Sequence, residues 1–223
     1  MRSKNCYVTG DTHGTTDVIG LQDFVASGIA DKETLLLVAG DLILHDETEK
    51  REVFDFWEKM PFTVAFIDGN HDDYKRLAAY EEVAWNGGRA GCIRKNLFHL
   101  RRGGFYTFDD FTLFALGGAR SESTLPQIDA NNDFVWPEEI PSPAQVSLAW
   151  ENLRLANWNV DVVLTHDGPQ FLVGWRLNDP VRPMLEEIHK KIFFRRWYYG
   201  HHHRDIEVGA NVRCVYNDVI PIL

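Results

Sequence analysis

The chain has 223 residues, of which 44% are hydrophobic and 13% aromatic, and its formal net charge at pH 7 is -10. This composition is typical of a globular protein and excludes a disordered one, and the length suits one sizeable domain or two small ones. The acidic charge argues against an extended nucleic-acid surface, which would need basic patches, although bound metal ions would supply positive charge locally.

Residues 6–80 alternate apolar runs of strand length with stretches of helical spacing. We predict strands at 6–9, 34–39 and 62–67, and helices at about 15–30, 47–60 and 74–80. Thr15 or Thr16 can cap the first helix, and Pro61 ends the second. This order indicates a parallel sheet with right-handed crossovers.

From residue 86 the pattern changes to glycine pairs separated by short β-rich runs. We predict short antiparallel strands at 97–100, 105–108 and 111–116, with a hairpin turn at Asp109–Asp110. Residues 121–143 show no periodicity, and we interpret them as a cover over the site; a plain surface excursion is the alternative.

The last third returns to strands and helices. We predict a helix at 144–156, a strand at 160–165, a helix within 179–193, and strands at 195–199, 205–208 and 212–216. No repeat or linker interrupts the chain, so a single domain over residues 1–223 is the simplest partition.

Cellular context is predicted from the cysteines and the N-terminus. Cys6, Cys92 and Cys214 are too few and too scattered for a disulfide scaffold, so we expect buried, reduced thiols. Residues 1–5 lack the apolar core of a signal peptide, and no run approaches a membrane span. We therefore predict a cytoplasmic protein without membrane contact; the oligomeric state is left open.

Five loops that directly follow predicted strands carry imidazole, carboxylate or amide groups, which suit borderline divalent metals. These groups are Asp11 and His13, Asp41, Asn70 and His71, His166, and His201 with His203. His201 and His203 are two residues apart and project to the same side of an extended segment, whereas His202 projects to the other and need not ligate.

The number of these groups favours two ions rather than one. Asp41 is the natural bridging ligand because a carboxylate has two oxygens. With neutral Asn70 in the set, two divalent ions keep the site cationic, as an anionic phosphate requires. A water between two metals ionises near neutral pH and becomes a nucleophile.

In chain order, the blocks Gly10-Asp11-Thr12-His13-Gly14, Gly40-Asp41, Gly69-Asn70-His71-Asp72, Thr165-His166 and Gly200-His201-His202-His203 resemble the calcineurin-like metallophosphoesterases. All five occur in the family's order and span nearly the whole chain. The segment Trp136-Pro137-Glu138-Glu139 and the run Trp197-Tyr198-Tyr199 look like a small bacterial and phage-type branch. Thr165 departs mildly from the family pattern, in which serine is common before this histidine.

The resemblance implies an α/β fold, a four-layer αββα sandwich with two mixed β-sheets flanked by helices. It assigns one metal to Asp11, His13, Asp41 and His203, and a second to Asp41, Asn70, His166 and His201. It makes His71 the group that stabilises the transition state or protonates the leaving oxygen, with Asp72 orienting its ring; a helix N-cap is the alternative for Asp72. Manganese is the favoured metal, and iron, zinc and nickel are compatible.

The implied activity is hydrolysis of a small phosphate-ester substrate by attack of a metal-bridging hydroxide. We favour a phosphodiester or nucleotide; a phosphomonoesterase, including a protein phosphatase, and a catalytically silent scaffold are the alternatives.

Arg120 follows a glycine pair and is a candidate substrate contact, with a surface salt bridge as the alternative. We expect structural roles for His45, His99 and His189 and solvated side chains for Arg101 and Arg102. Trp85, Phe134, Trp136 and Trp175 are either pocket or core residues.

Overall fold

The computed structural model describes residues 1–43, 50–121 and 136–223. The predictions for His45, for Phe134 and for most of the cover segment therefore lie outside the described residues. In chain order, the helices and strands are β1 (Cys6–Thr9), α1 (Ile19–Ala26), β2 (Leu35–Val38), α2 (Lys50–Glu58), β3 (Thr63–Phe66), α3 (Tyr74–Ala79), β4 (Glu82–Trp85), β5 (Gly88–Arg94), β6 (Leu97–Leu100), β7 (Gly104–Thr107), β8 (Thr112–Leu116), α4 (Pro143–Leu155), β9 (Val162–Thr165), α5 (Gln170–Val173), α6 (Val181–His189), β10 (Arg196–Tyr199), β11 (Ile206–Val208), β12 (Val212–Cys214) and β13 (Ile220–Pro221).

The strands form two mixed sheets. The first has seven strands in the order β13-β1-β2-β3-β6-β5-β4, and the second has six in the order β11-β12-β10-β9-β8-β7. The strands β1, β2, β3 and β6 run parallel in the first sheet, as do β8, β9, β10 and β12 in the second. The predicted fold class is confirmed.

The four layers follow from the alternation of side chains along each strand. In β2, Leu35 and Leu37 face a core shared by the two sheets, whereas Leu36 and Val38 face a second core formed with α1 and α2. In β9, Leu164 lies in the shared core and Val163 in a third core beneath α4 and α6. Two sheets packed face to face, each covered by helices, place the carboxyl ends of both sets of parallel strands at one rim.

The first helix is shorter than predicted. It begins at Ile19, and neither Thr15 nor Thr16 caps it, because residues 12–17 are used for turns in which Thr16 donates to the His13 carbonyl and Asp17 to the Thr12 carbonyl. These turns carry the His13 side chain. The predicted helix at 47–60 is described only from Lys50 to Glu58, and Val53, Phe54 and Trp57 are buried on one side of it.

Two strands of the middle region are absent from the predictions. Strands β4 and β5 form a hairpin whose turn, Asn86–Gly87, has positive φ at both residues. Asn-Gly is a strong hairpin signal and could have indicated this turn. Strand β6 pairs with β3 and β5 in the first sheet, so the region is split between two sheets. The predicted turn at Asp109–Asp110 joins β7 and β8.

Three smaller expectations concern thiols, aromatic residues and membranes. The three cysteines are free thiols, and Cys6 and Cys214 are buried. Trp85 stacks on Phe98 against the shared core, so it is a core residue rather than a pocket residue. Within the described ranges, none of the helices combines the length and apolar character that a membrane crossing requires.

Candidate metal centre

The loops that follow β1, β2, β3, β9 and β10 meet at the common rim of the two sheets. His166, after β9, lies with Nε2 3.5 Å from Asp41 Oδ2 and with Nδ1 3.8 Å from Asp11 Oδ1. His203, after β10, places Nε2 3.3 Å from Asp11 Oδ2. Groups that are up to 192 positions apart in the chain therefore share one cluster, as the strand-end pattern predicts.

One half of the cluster contains Asp11, His13, His203 and Asp41. Nδ1 of His13 lies 2.6 Å from a carboxylate oxygen of Asp17, which can only accept, so Nδ1 carries the proton. The other ring nitrogen, Nε2, is then directed to Asp41 Oδ2 at 3.6 Å. A carboxylate that holds the outer nitrogen of a histidine is the usual support of a metal ligand.

In the other half of the cluster, the Asn70 side chain lies between two histidine rings. Its Oδ1 lies 3.0 Å from His166 Nε2 and 2.9 Å from His201 Nδ1. Nδ1 of His166 donates to the Ala39 carbonyl at 2.6 Å, so a neutral His166 presents a lone pair at Nε2. Burial opposes protonation of His166, but Asp41 and Asp11 raise its pKa, so Nε2 can also donate a proton to Asn70 Oδ1; a bound cation would take the place of that proton and use both atoms as ligands.

The His201 ring gives the test of whether the residues fit a metal. Its Nε2 is buried and lacks a hydrogen-bond partner among the described residues. Buried polar atoms are normally satisfied, and an exception in a cluster of imidazole and carboxylate groups is expected where an ion completes the site. Two groups of side chains offer ligand atoms within 4.8 Å of one another, namely Asp11, His13 and His203, and Asp11, Asp41 and His166. The residues therefore fit divalent metal ions.

The backbone at this rim is strained in the way that functional sites often are. His13, Asp41, His201 and His203 all have positive φ, with values of 42°, 52°, 64° and 49°. Such conformations are uncommon for residues with a side chain. They aim these four side chains into the cluster, and they persist because the surrounding strands hold the loop ends.

Two glycines allow the loops to approach the carboxylates closely. A Cβ atom at Gly69 would overlap Asp41 Oδ1, and one at Gly200 would overlap Asp11 Oδ1. Because no side chain stands at these two positions, neighbouring backbone amides reach the carboxylates. His71 N donates to Asp41 Oδ1 at 2.9 Å, and His201 N donates to Asp11 Oδ2 at 2.9 Å.

The electrostatics of the cluster favour ionised Asp41. Burial opposes its ionisation, but His166 and His13 more than offset this cost and hold the pKa of Asp41 well below its usual range. Burial also acts against the His13 cation, yet Asp41, Asp11 and Asp17 raise the pKa of His13 to about 9. For His201 burial dominates and lowers the pKa to about 3, which keeps the ring neutral and able to ligate.

His71 and Asp72 lie at the same rim. His71 is half-buried, and its ring centroid lies 6.0 Å from that of His13. The buried carboxylate of Asp72 accepts hydrogen bonds from the amides of Leu42, Ile43 and Gly69. Burial and the neighbouring Asp41 charge raise the pKa of Asp72 to about 8, against the effect of these amides.

The alternative that Asp72 is a helix N-cap is wrong. The N-cap of α3 is Asp73, whose side chain accepts from Arg76 N. Arg120, the predicted substrate contact, is half-buried in the loop after β8, and its carbonyl accepts a hydrogen bond from Arg176.

Two buried ion pairs beneath the cluster were not predicted. Arg102 donates from Nε to Asp68 at 2.7 Å, and His99 Nε2 lies 3.0 Å from the same carboxylate, so the expectation of a solvated Arg102 is wrong. On the other sheet, Arg182 donates to Asp167 at 2.7 Å. His202 Nε2 lies 2.8 Å from Asp167 as well, which gives this histidine a partner other than the metal ligands.

The chain matches the model of a known protein family and is similar in fold to a solved structure. The model of the calcineurin-like phosphoesterase family matches residues 5–205. Among solved structures, the chain is similar to a phosphopantetheinyl hydrolase from Mycobacterium tuberculosis, with a TM-score of 0.55 and 16% sequence identity over 96% of this chain and 90% of that one. At this identity, the likeness concerns the fold. No curated protein matches the chain.

Proposed function

The chain belongs to the calcineurin-like phosphoesterase family, and we propose that it is a two-metal hydrolase of a phosphodiester or nucleotide. Hydrolysis of phosphoester bonds with divalent metal follows from the family. The number of ions, the roles of the individual residues and the substrate class go beyond what the family implies, and we propose them here.

One observation carries the two-metal proposal. Asn70 Oδ1 and His166 Nε2 meet at one point beside the His201 ring, whose Nε2 is buried without a partner in the described part of the chain, while His13 and His203 face Asp41 and Asp11 at another. Asp41 contacts both groups of histidines and is the proposed bridging ligand. Two bound ions would supply Lewis-acid stabilisation of the phosphoryl oxygens and activate the attacking water.

The remaining residues act around that centre. We assign to His71 the stabilisation of the transition state or the protonation of the leaving oxygen, because its backbone amide is bonded to Asp41 and its ring stands at the rim. Asp72 would position His71 through the backbone, since its carboxylate joins the Gly69 amide to those of Leu42 and Ile43. Arg120 would contact the substrate phosphate.

The charges beside the site favour a diester. Arg102 is paired with Asp68, Arg182 is paired with Asp167, and Arg176 donates to two backbone carbonyls in the loop after β8. Guanidinium groups committed in this way contribute little to binding a second negative charge, which leaves Arg120 as the one arginine that we assign to the substrate phosphate. A diester carries one charge at neutral pH, whereas a phosphomonoester carries nearly two.

The experiment compares two chromogenic substrates with Mn²⁺: bis-p-nitrophenyl phosphate and p-nitrophenyl phosphate. We expect kcat/KM for the diester to exceed that for the monoester by about tenfold or more, which is a difference of about 1.4 kcal/mol in transition-state stabilisation. A faster monoester reaction would instead support the phosphomonoesterase alternative. Absence of turnover with Mn²⁺, Fe²⁺, Zn²⁺ and Ni²⁺ would support the silent scaffold.

A further inference from the structure

The Trp136-Pro137-Glu138-Glu139 segment has no part in the function proposed above. Residues Pro137–Glu139 form a single turn of 3-10 helix. The Glu139 side chain is buried, with 1% of the residue exposed, whereas its neighbour Glu138 is exposed. Burying a carboxylate costs free energy unless hydrogen bonds compensate for the lost hydration, so the hydrogen-bond partners of Glu139 indicate its role.

Glu139 ties this turn to the loop after β8. Its Oε1 accepts from Trp136 N at 2.9 Å, and its Oε2 accepts from Ser121 N at 2.8 Å. Burial raises the pKa of Glu139, and the hydrogen bonds from Ser121 and Trp136 only partly offset that effect. The turn also lies against Gly118, where φ is +94° and a Cβ atom would overlap the Glu139 carbonyl.

Ser121 continues the connection to the metal centre. Its hydroxyl oxygen accepts a hydrogen bond from Asn70 Nδ2 at 3.0 Å, and both residues are buried. A side-chain amide has one donor end and one acceptor end, and the network around it decides which way it faces. With Nδ2 held by Ser121, Oδ1 faces His166 and His201.

Resting on the proposed function, we propose that Glu139 is a positioning residue that acts through Ser121. It holds the Asn70 amide with Oδ1 toward the metal centre and thereby sets the affinity for one of the two ions. Without this hold, the amide can rotate and present its NH₂ group to the cation, which repels it. Supports of this kind typically change metal affinity by about 10 to 100-fold.

The test is calorimetric titration of the full-length, chelator-treated protein with Mn²⁺ alone, followed by thermal unfolding of each variant. Ser121→Ala removes the hydroxyl acceptor but keeps the backbone amide that Glu139 binds, and Glu139→Gln removes the carboxylate. Glu138→Gln is the matched control, since it removes the same charge from the adjacent exposed side chain. If Glu139→Gln does not fold, Glu139→Asp, which keeps the charge but shortens the reach to the Ser121 amide, tests the same step.

We expect wild-type protein and Glu138→Gln to bind two ions. Ser121→Ala and Glu139→Gln should bind one ion as before and the other at least about tenfold more weakly. Metal-free Ser121→Ala should still unfold in one cooperative transition, which shows that it is folded. Wild-type affinity for both ions in Ser121→Ala would overturn the positioning role and leave the proposed hydrolase intact. If the wild type binds two ions but cleaves no phosphate ester, the hydrolase fails while weaker binding in Ser121→Ala still supports the positioning role. Wild-type protein that binds no Mn²⁺ would overturn both.

Discussion

Two histidine side chains at the proposed metal centre are oriented by hydrogen bonds. In each ring a partner binds one nitrogen, and the other nitrogen faces the cluster. Asp17 binds Nδ1 of His13, and the Ala39 carbonyl binds Nδ1 of His166. In each ring, Nε2 is therefore the atom directed to the carboxylates. These hydrogen bonds fix the ring orientations through the protein's own groups, which favours both affinity and specificity for a metal.

His71 is distinguished from these histidines because no role in metal binding is assigned to its ring. We predict that His71→Ala lowers kcat by about 10²- to 10⁴-fold, the range typical of a lost general acid or transition-state contact. Metal content, measured by elemental analysis, should stay at the wild-type level. His189→Ala is a suitable control, because that ring packs against Phe171 and Phe194 by α6. Full activity of His71→Ala on several phosphate esters would show that the assigned role is wrong.

Among the elements, the end of β3 is connected to both sheets. Asp68 follows β3 and binds His99 of β6 and Arg102 just beyond β6, and its carbonyl accepts from Gly118 N after β8 in the other sheet. Burial opposes ionisation of Asp68, but Arg102 and His99 more than offset it, so the pKa of Asp68 lies well below its usual range. This pair fixes the strand end from which Asn70 and His71 project.

We therefore predict that Asp68→Asn destabilises the fold by about 3–5 kcal/mol, because Arg102 would keep its charge in a buried position without a counter-ion. Chemical unfolding at pH 7 would measure the loss. A depressed folded-state pKa stabilises the protein above the unfolded value of about 4, and this contribution is lost as the pH falls. The difference between wild type and Asp68→Asn should accordingly shrink below about pH 4.

The control for this prediction is an ion pair at the surface. Glu58 lies 3.3 Å from Arg94, and both side chains are substantially exposed. Glu58→Gln should change the unfolding free energy by less than about 1 kcal/mol. Equal effects of the two substitutions, or no effect of Asp68→Asn, would contradict the view that the buried pair stabilises this strand end.

At the scale of the whole molecule, the sequence predicts the strand ends well and the contacts between distant segments poorly. Apolar runs followed by Asp41 or His166 are local patterns, so the strands and candidate ligands can be read directly. The sequence places Arg102 in solvent, because its partner Asp68 is 34 positions away and only the fold brings them together. The link from Glu139 to Ser121 is equally non-local, and a buried carboxylate looks like any other glutamate in a sequence.

The same long-range arrangement makes the proposed metal centre a link between the two sheets. Asp11, Asp41 and Asn70 belong to loops of the first sheet, whereas His166 and His201 belong to loops of the second. Ions held by both sets would bind the folded state and not the unfolded chain. A free ligand concentration of 100 times the dissociation constant stabilises the folded state by about 2.7 kcal/mol. For a chain of this length, this corresponds to a rise of about 5–10 °C in Tm.

Chelation should therefore lower Tm by about that amount relative to protein in excess Mn²⁺, as measured by calorimetry or circular dichroism. Asp41→Asn is the decisive comparison, since it removes the charge of the proposed bridging ligand while keeping an acceptor oxygen for the His71 amide. Its Tm should respond little to Mn²⁺, and it should lose metal and activity together. A wild-type Tm that is the same with Mn²⁺ and with chelator would mean that the strand-end cluster does not hold ions across the two sheets.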